Sequence, residues 1–138
     1  MADTIVGYFT FDQLQDYPYG DWFIPEYSAY EIDKTTLDSL KINELDNIKI
    51  IIVIGIWCHD SQRETPRFVK IMEYLKFENT IAIGVNRQKQ AEGTEVPKLN
   101  IQYVPTIIIF KDNVEIGRII EAPTESIEKD LFKIISLN

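Results

Sequence analysis

The stretch Lys49-Ile50-Ile51-Ile52-Val53-Ile54-Gly55-Ile56-Trp57-Cys58-His59-Asp60-Ser61 decides the reading of this chain. From Lys49 to Ile56 it is a nearly unbroken β-branched run. Such a run fits a strand covered on both faces, because a strand with one wet face alternates polar and apolar residues. The period then changes. Ser61 to Leu75 reads as a helix, with Phe68, Ile71, Met72 and Leu75 as its core stripe. Pro66 lies inside that helix and is expected to kink it, since proline removes a hydrogen bond and crowds the preceding turn. Trp57 to Ser61 therefore falls where a buried strand hands over to a helix.

Working outward toward the C-terminus, Thr80 to Val85 reads as a second buried strand. Residues 86–103 are polar and contain Gly93 and Pro97, so they read as a loop with at most a helical turn. Thr106 to Phe110 is a third strand, and Asp112-Asn113 turns it into a fourth, Val114 to Ile120. Thr124 can cap a final helix whose inward face is Ile127, Leu131, Ile134 and Ile135. A strand–helix–strand start demands parallel pairing with a right-handed crossover, and the final hairpin is antiparallel. The expectation is an α/β fold with a mixed sheet and helices on its faces.

Working outward toward the N-terminus, the pattern fades. Residues 1–47 are rich in Tyr, Asp and Pro and show no sustained period. Tyr17-Pro18-Tyr19-Gly20-Asp21-Trp22 reads as turns, and Thr35 to Leu45 as a short helix with Leu37, Leu40 and Leu45 inward. The aromatics crowded here, from Tyr8 to Tyr30, are expected to cover one side of the domain that follows. The division expected is an extension, 1–47, packing on a domain, 48–138.

Composition narrows the function classes. The net charge is −8, from 14 basic and 22 acidic residues, which disfavours nucleic acid and anionic membrane surfaces as partners. Cys58 is the single cysteine and His59 the single histidine, so neither an intramolecular disulfide nor a Cys-rich zinc site can form. No metal and no cofactor is expected. Met1-Ala2-Asp3-Thr4 lacks the basic patch and apolar run of a signal peptide, and no apolar stretch is long enough to span a bilayer. The setting expected is cytoplasmic, with an exported mature form as the alternative.

The chemistry centres on Cys58. At a strand-to-helix junction the first backbone N–H groups lack partners, and the helix dipole favours negative charge. A thiolate is such a charge, so Cys58 stands where reactivity at neutral pH is favoured. A protonated His59 would help and Asp60 would oppose. Trp57 would border the site and supply apolar contact.

These residues resemble the thioredoxin superfamily. Trp57-Cys58 matches the family's Trp-Cys pair, and Pro66 stands where the family's helix proline stands. Gly93 to Lys98 looks like the approach to its third strand. Val104-Pro105-Thr106 with Ile107 to Phe110 resembles its cis-proline loop and strand. Lys111-Asp112-Asn113 resembles its hairpin turn, and Gly117 the glycine of its last strand. The string WCxDSxxxxPRF also resembles a branch of bacterial thioredoxin-like proteins with a Cys-x-x-Ser site. The resemblance covers about residues 48–137. It implies a thioredoxin fold, a three-layer α/β/α arrangement with a mixed central sheet. It also implies that Pro105 is cis and faces Cys58, and that Val104, Pro105 and Thr106 bind substrate.

Two departures bear on mechanism. Ser61 stands where the family carries its second cysteine, and Ile52 where it carries a buried acid. A resolving thiol is what releases a mixed disulfide quickly, so Cys58 cannot run the dithiol cycle alone. Ser61 is left either to hydrogen-bond a Cys58 thiolate or to fill or cap the first turn of the helix. The function implied is monothiol exchange of the reductase, isomerase or deglutathionylation type. Its substrate would be a protein or a low-molecular-weight thiol or disulfide, and an external thiol would finish the turnover. The alternative is a non-catalytic peptide-binding module built around Val104 and Pro105.

Overall fold

A computed structural model describes residues 4–138; Met1, Ala2 and Asp3, and the expectations placed on them, lie outside the described residues. The elements run β1 (Gly7–Phe9), α1 (Gly20–Ala29), α2 (Lys34–Asp38), β2 (Ile48–Ile54), α3 (His59–Leu75), β3 (Thr80–Gly84), α4 (Val96–Leu99), β4 (Thr106–Lys111), β5 (Val114–Ile120) and α5 (Ile127–Ser136). The five strands form one sheet in the order β1-β3-β2-β4-β5. Only β2 and β3 pair in parallel; the other pairings are antiparallel. The β4–β5 turn places Asp112 and Asn113 at φ 53° and 66°, the left-handed values a tight hairpin of this twist requires.

β2 is the central strand, and six of its seven residues are buried. Each such side chain contributes about 1.5–3 kcal/mol on burial, which is why an uninterrupted Ile/Val run is stable only there. Alternation along β2 divides the core. Ile48, Ile50, Ile52 and Ile54 pack with Phe68, Ile71, Ile127 and Leu131 under α3 and α5. Ile51 and Val53 pack on the other face with Ile83, Val85, Val96 and Val104. The first face carries the long helices. The second is closed by the 86–105 segment, whose only helix among the described residues is the short α4. Gly117 lets α5 sit close on β5, because a Cβ there would meet Ile134 side-chain carbons at 2.9 Å.

The N-terminal segment departs most from expectation. It is a built part of the domain, not a cover laid over it. β1 joins the sheet edge against β3, and Phe9, Leu14, Phe23, Leu37 and Leu40 enter the main core. The predicted turn at 17–22 holds only as far as Tyr19, because Gly20 to Trp22 already belong to α1. The predicted helix 35–45 breaks into α2 and a 3-10 turn, Ile42–Leu45, with Leu37 and Leu40 buried and Leu45 half-buried. Tyr8 and Tyr17 point outward rather than into packing. Polar contacts then fasten the segment. Arg67 of α3 pairs with Glu26 at 2.8 Å, Lys70 donates to the carbonyls of Tyr27 and Tyr30, and Glu128 of α5 accepts from Tyr30 Oη and the Asp33 N–H.

α5 is capped by Ser126, whose hydroxyl accepts from the Lys129 N–H at 3.0 Å, and not by Thr124. The Asp130 carboxylate accepts from the N–H groups of Thr124 and Glu125. That bend ties both residues outside the helix.

Candidate active site around Cys58

The site forms where parallel neighbours β2 and β3 end and β4 begins. After Ile54 the chain makes a tight turn, in which the Cys58 N–H donates to the Gly55 carbonyl at 2.9 Å. Cys58 has extended backbone angles and is itself the N-cap residue of α3. The helix thus begins at His59, two residues before the predicted start at Ser61. The first-turn N–H groups of α3 have no carbonyl within the helix to bond, so the junction presents donors beside the sulfur. Cys58 is half-buried, and its thiol donates to the Val104 carbonyl at 3.5 Å. The Val104–Pro105 peptide bond is cis.

Trp57 is held from several sides. Its indole Nε1–H donates to the Val85 carbonyl at 3.0 Å. Its ring packs against the backbone of Gly55, where a Cβ would lie 2.5 Å from Cε2. The guanidinium of Arg87 lies over the ring, 5.4 Å from its centroid. The order of this wall follows from the parallel β2–β3 pairing, which brings the two strands' trailing loops side by side.

Ser61 fills the first turn of α3, as one of its expected roles had it, but its hydroxyl neither caps the helix nor bonds Cys58 among the described residues. It sits inside the first turn, fully buried, and its Oγ accepts the Gly55 N–H at 3.1 Å. That bond turns the hydroxyl into the β2 turn and fixes the loop that carries Trp57 and Cys58. Asp60 is paired with Arg63 at 3.0 Å, and Arg63 also meets Glu64 at 2.6 Å. These two carboxylates hold the Arg63 guanidinium firmly charged. His59 is exposed and makes no side-chain hydrogen bond among the described residues. Val104, Pro105 and Thr106 are buried. The Thr106 hydroxyl donates to the Tyr103 carbonyl at 2.7 Å, and the Pro105 carbonyl accepts from the Glu121 N–H. Ile52 is buried in the apolar core under α3.

The structure therefore gathers Trp57, Cys58 and Val104 in one cluster. It turns Ser61 and Thr106 into local bonds and leaves His59 in solvent. Sequence reasoning missed Arg87 and Gly55. The signal for Arg87 was its place just after the second strand of a parallel pair, where loops converge on a site.

This mixed sheet, with a capping cysteine after its central strand and a cis proline ahead of β4, is the thioredoxin fold. Two solved structures show the likeness. A Pseudomonas aeruginosa protein of unknown function superposes with a TM-score of 0.57 at 12% identity, over 85% of this chain and 81% of that one. Fasciola hepatica thioredoxin superposes with a TM-score of 0.50 at 19% identity, over 73% of this chain and 89% of that one. At these identities the likeness is one of fold. No protein-family model matches the sequence, and no curated protein matches it.

Proposed function

We propose that this chain carries out thiol–disulfide exchange through Cys58 alone, with an external thiol completing each turnover. The observation that carries the reading is the Cys58 sulfur at the N-terminus of α3, 3.5 Å from the Val104 carbonyl that precedes Pro105. A sulfur there is partly accessible and sits beside helix N–H groups that have no partner within the helix. Ser61 and Ile52 fit a monothiol cycle, because neither can resolve a mixed disulfide or take a proton from a second thiol. The substrate is a protein or low-molecular-weight disulfide, in reduction, isomerisation or deglutathionylation. A chain with one cysteine needs no oxidising compartment, which supports a cytoplasmic setting; an exported mature form is the alternative.

The test is alkylation of Cys58 near neutral pH, folded against urea-unfolded, together with trapping of mixed disulfides. Faster alkylation in the folded protein and a trapped adduct are expected. A folded thiol slower than the unfolded one would sink the proposal.

One observation favours a second reading. The position after the Cys-x-x spacing is spent on structure, since Ser61 is buried and bonded to Gly55. A scaffold kept for holding peptides at Val104 would tolerate that. Under this reading Cys58→Ser leaves partner capture intact, whereas thiol exchange requires that it be lost.

A further inference from the structure

We infer that Arg87 selects the substrate of Cys58, favouring a small disulfide that carries carboxylates close to its sulfur atoms. This rests on the thiol-exchange reading above.

Arg87 is exposed, follows β3, and lies over the ring of Trp57, the residue next to the nucleophile. Among the described residues it forms no salt bridge, whereas Arg63, the other arginine near the start of α3, is engaged by both Asp60 and Glu64. Arg87 is therefore the cation at this wall with its donors uncommitted. Stacking on the indole orients the guanidinium before a ligand arrives, which lowers the ordering cost of binding. Its planar fork matches a carboxylate better than a lysine would.

The charge of the whole chain sharpens the point. At −8 the protein repels anions at long range. A neutral substrate would need no local cation, and an anionic one does. Val104 to Thr106, the segment an extended peptide would pair with, are buried. That favours a small molecule over a long peptide.

The chemistry balances without a cofactor. The Cys58 thiolate attacks one sulfur of R–S–S–R, forming Cys58–S–S–R as the substrate's S–S bond breaks. One R–S⁻ leaves with the electron pair, stabilised as its carboxylate stays near Arg87. An external low-molecular-weight thiolate R′–S⁻ then attacks the R sulfur, giving R–S–S–R′ and restoring the Cys58 thiolate.

The experiment measures Cys58 reaction rates with two disulfides, dithiobis(nitrobenzoate), which is anionic, and dithiodipyridine, which is neutral. The readout is the ratio of the two rates in wild type, Arg87→Gln and Arg87→Lys. Arg87→Gln should lower the anionic-to-neutral ratio by about fivefold, the scale of one partly solvated charge pair, and Arg87→Lys, which keeps the charge but not the planar fork, should keep only part of it. Salt at about 1 M should erase the difference, because screening then acts within about 3 Å. An unchanged ratio in Arg87→Gln overturns the inference while leaving thiol exchange standing. Failure of wild type to react with either reagent overturns both.

Discussion

The Ser61 hydroxyl accepts a hydrogen bond from the Gly55 N–H at 3.1 Å, with both residues buried. Position 61 therefore holds the turn that presents Cys58. Replacing Ser61 by Ala removes the acceptor and leaves a buried N–H without a partner. Such a loss costs about 1–3 kcal/mol. Urea unfolding followed by circular dichroism should show it. A loss below about 0.5 kcal/mol would mean that water or a backbone shift replaces the bond.

Ser61→Cys asks a different question of the same place. Cys58 and residue 61 lie within one helical turn, and a disulfide spans Cα separations of about 4.4–6.8 Å. Mild oxidation should close an intramolecular disulfide, visible in the intact mass as the loss of two hydrogens and of both free thiols. The variant should then reduce insulin-type disulfides faster than wild type, because it gains a resolving thiol. A variant that retains two alkylatable thiols after oxidation would show that the inward orientation of position 61 outweighs disulfide formation.

Gly55 predicts a third outcome. A Cβ at this position would lie 2.5 Å from Trp57 Cε2, so the indole must move. Movement breaks the Nε1 bond to Val85 and the stack under Arg87. Gly55→Ala should cost about 1–3 kcal/mol, in line with other overpacked sites. In a Trp22→Phe background, where Trp57 alone reports, its fluorescence should shift to the red. Emission identical to that of the parent would show that the ring keeps its place.

The contrast between the two halves of the chain has a physical cause. β2, β3, β4 and β5 were legible because their apolar runs are long and bounded by turn residues. The core stripe of α3 was legible because it repeats at helical spacing. The placement of Cys58 at a strand-to-helix junction was legible for the same reason. β1 was not, because three residues give no period, and its partner is β3, far along the chain. α1 was not, since Pro25 lies within it and its fastenings come from Arg67 and Lys70 on another helix. The caps failed where two hydroxyls compete. Thr124 and Ser126 are equal candidates by type, and only the pull of Asp130 on residues 124 and 125 separates them. The use of Ser61 was hidden likewise, because its partner is a backbone N–H across the turn.

Glu128 ties the N-terminal segment to the rest of the domain. It is fully buried at the start of α5 and accepts from Tyr30 Oη at 2.7 Å and from the Asp33 N–H at 2.9 Å. Its charge also suits the positive end of the helix. Glu128→Ala strands both donors and should cost about 2–3 kcal/mol. Glu128→Gln keeps an acceptor and should cost less. Limited proteolysis should cut within residues 16–34 sooner in the Ala variant, as α1 loosens from the core. Equal cleavage rates in wild type and Glu128→Ala would show that α1 is held by its contacts with α3 alone.

Tyr27 sets how the fold responds to alkali. Its hydroxyl donates to the Glu73 carboxylate and joins α1 to α3. That bond, then burial, then the charge of Glu73 push the Tyr27 pKa from 10.0 up to about 12. Tyr30 is pushed up as well, by burial first and then by its bond to Glu128. A raised value in the folded state means that the folded chain holds the proton more tightly than the unfolded one. The stability gained is complete below about pH 10 and is lost as pH rises from about 10 through about 12. Tyr27→Phe has no proton to lose there. It should be less stable by about 0.5–1.5 kcal/mol near neutral pH, yet its urea midpoint should fall less steeply between about pH 10 and about pH 12. Parallel declines in the two proteins would locate the alkaline sensitivity elsewhere, with Tyr30→Phe as the next variant to measure.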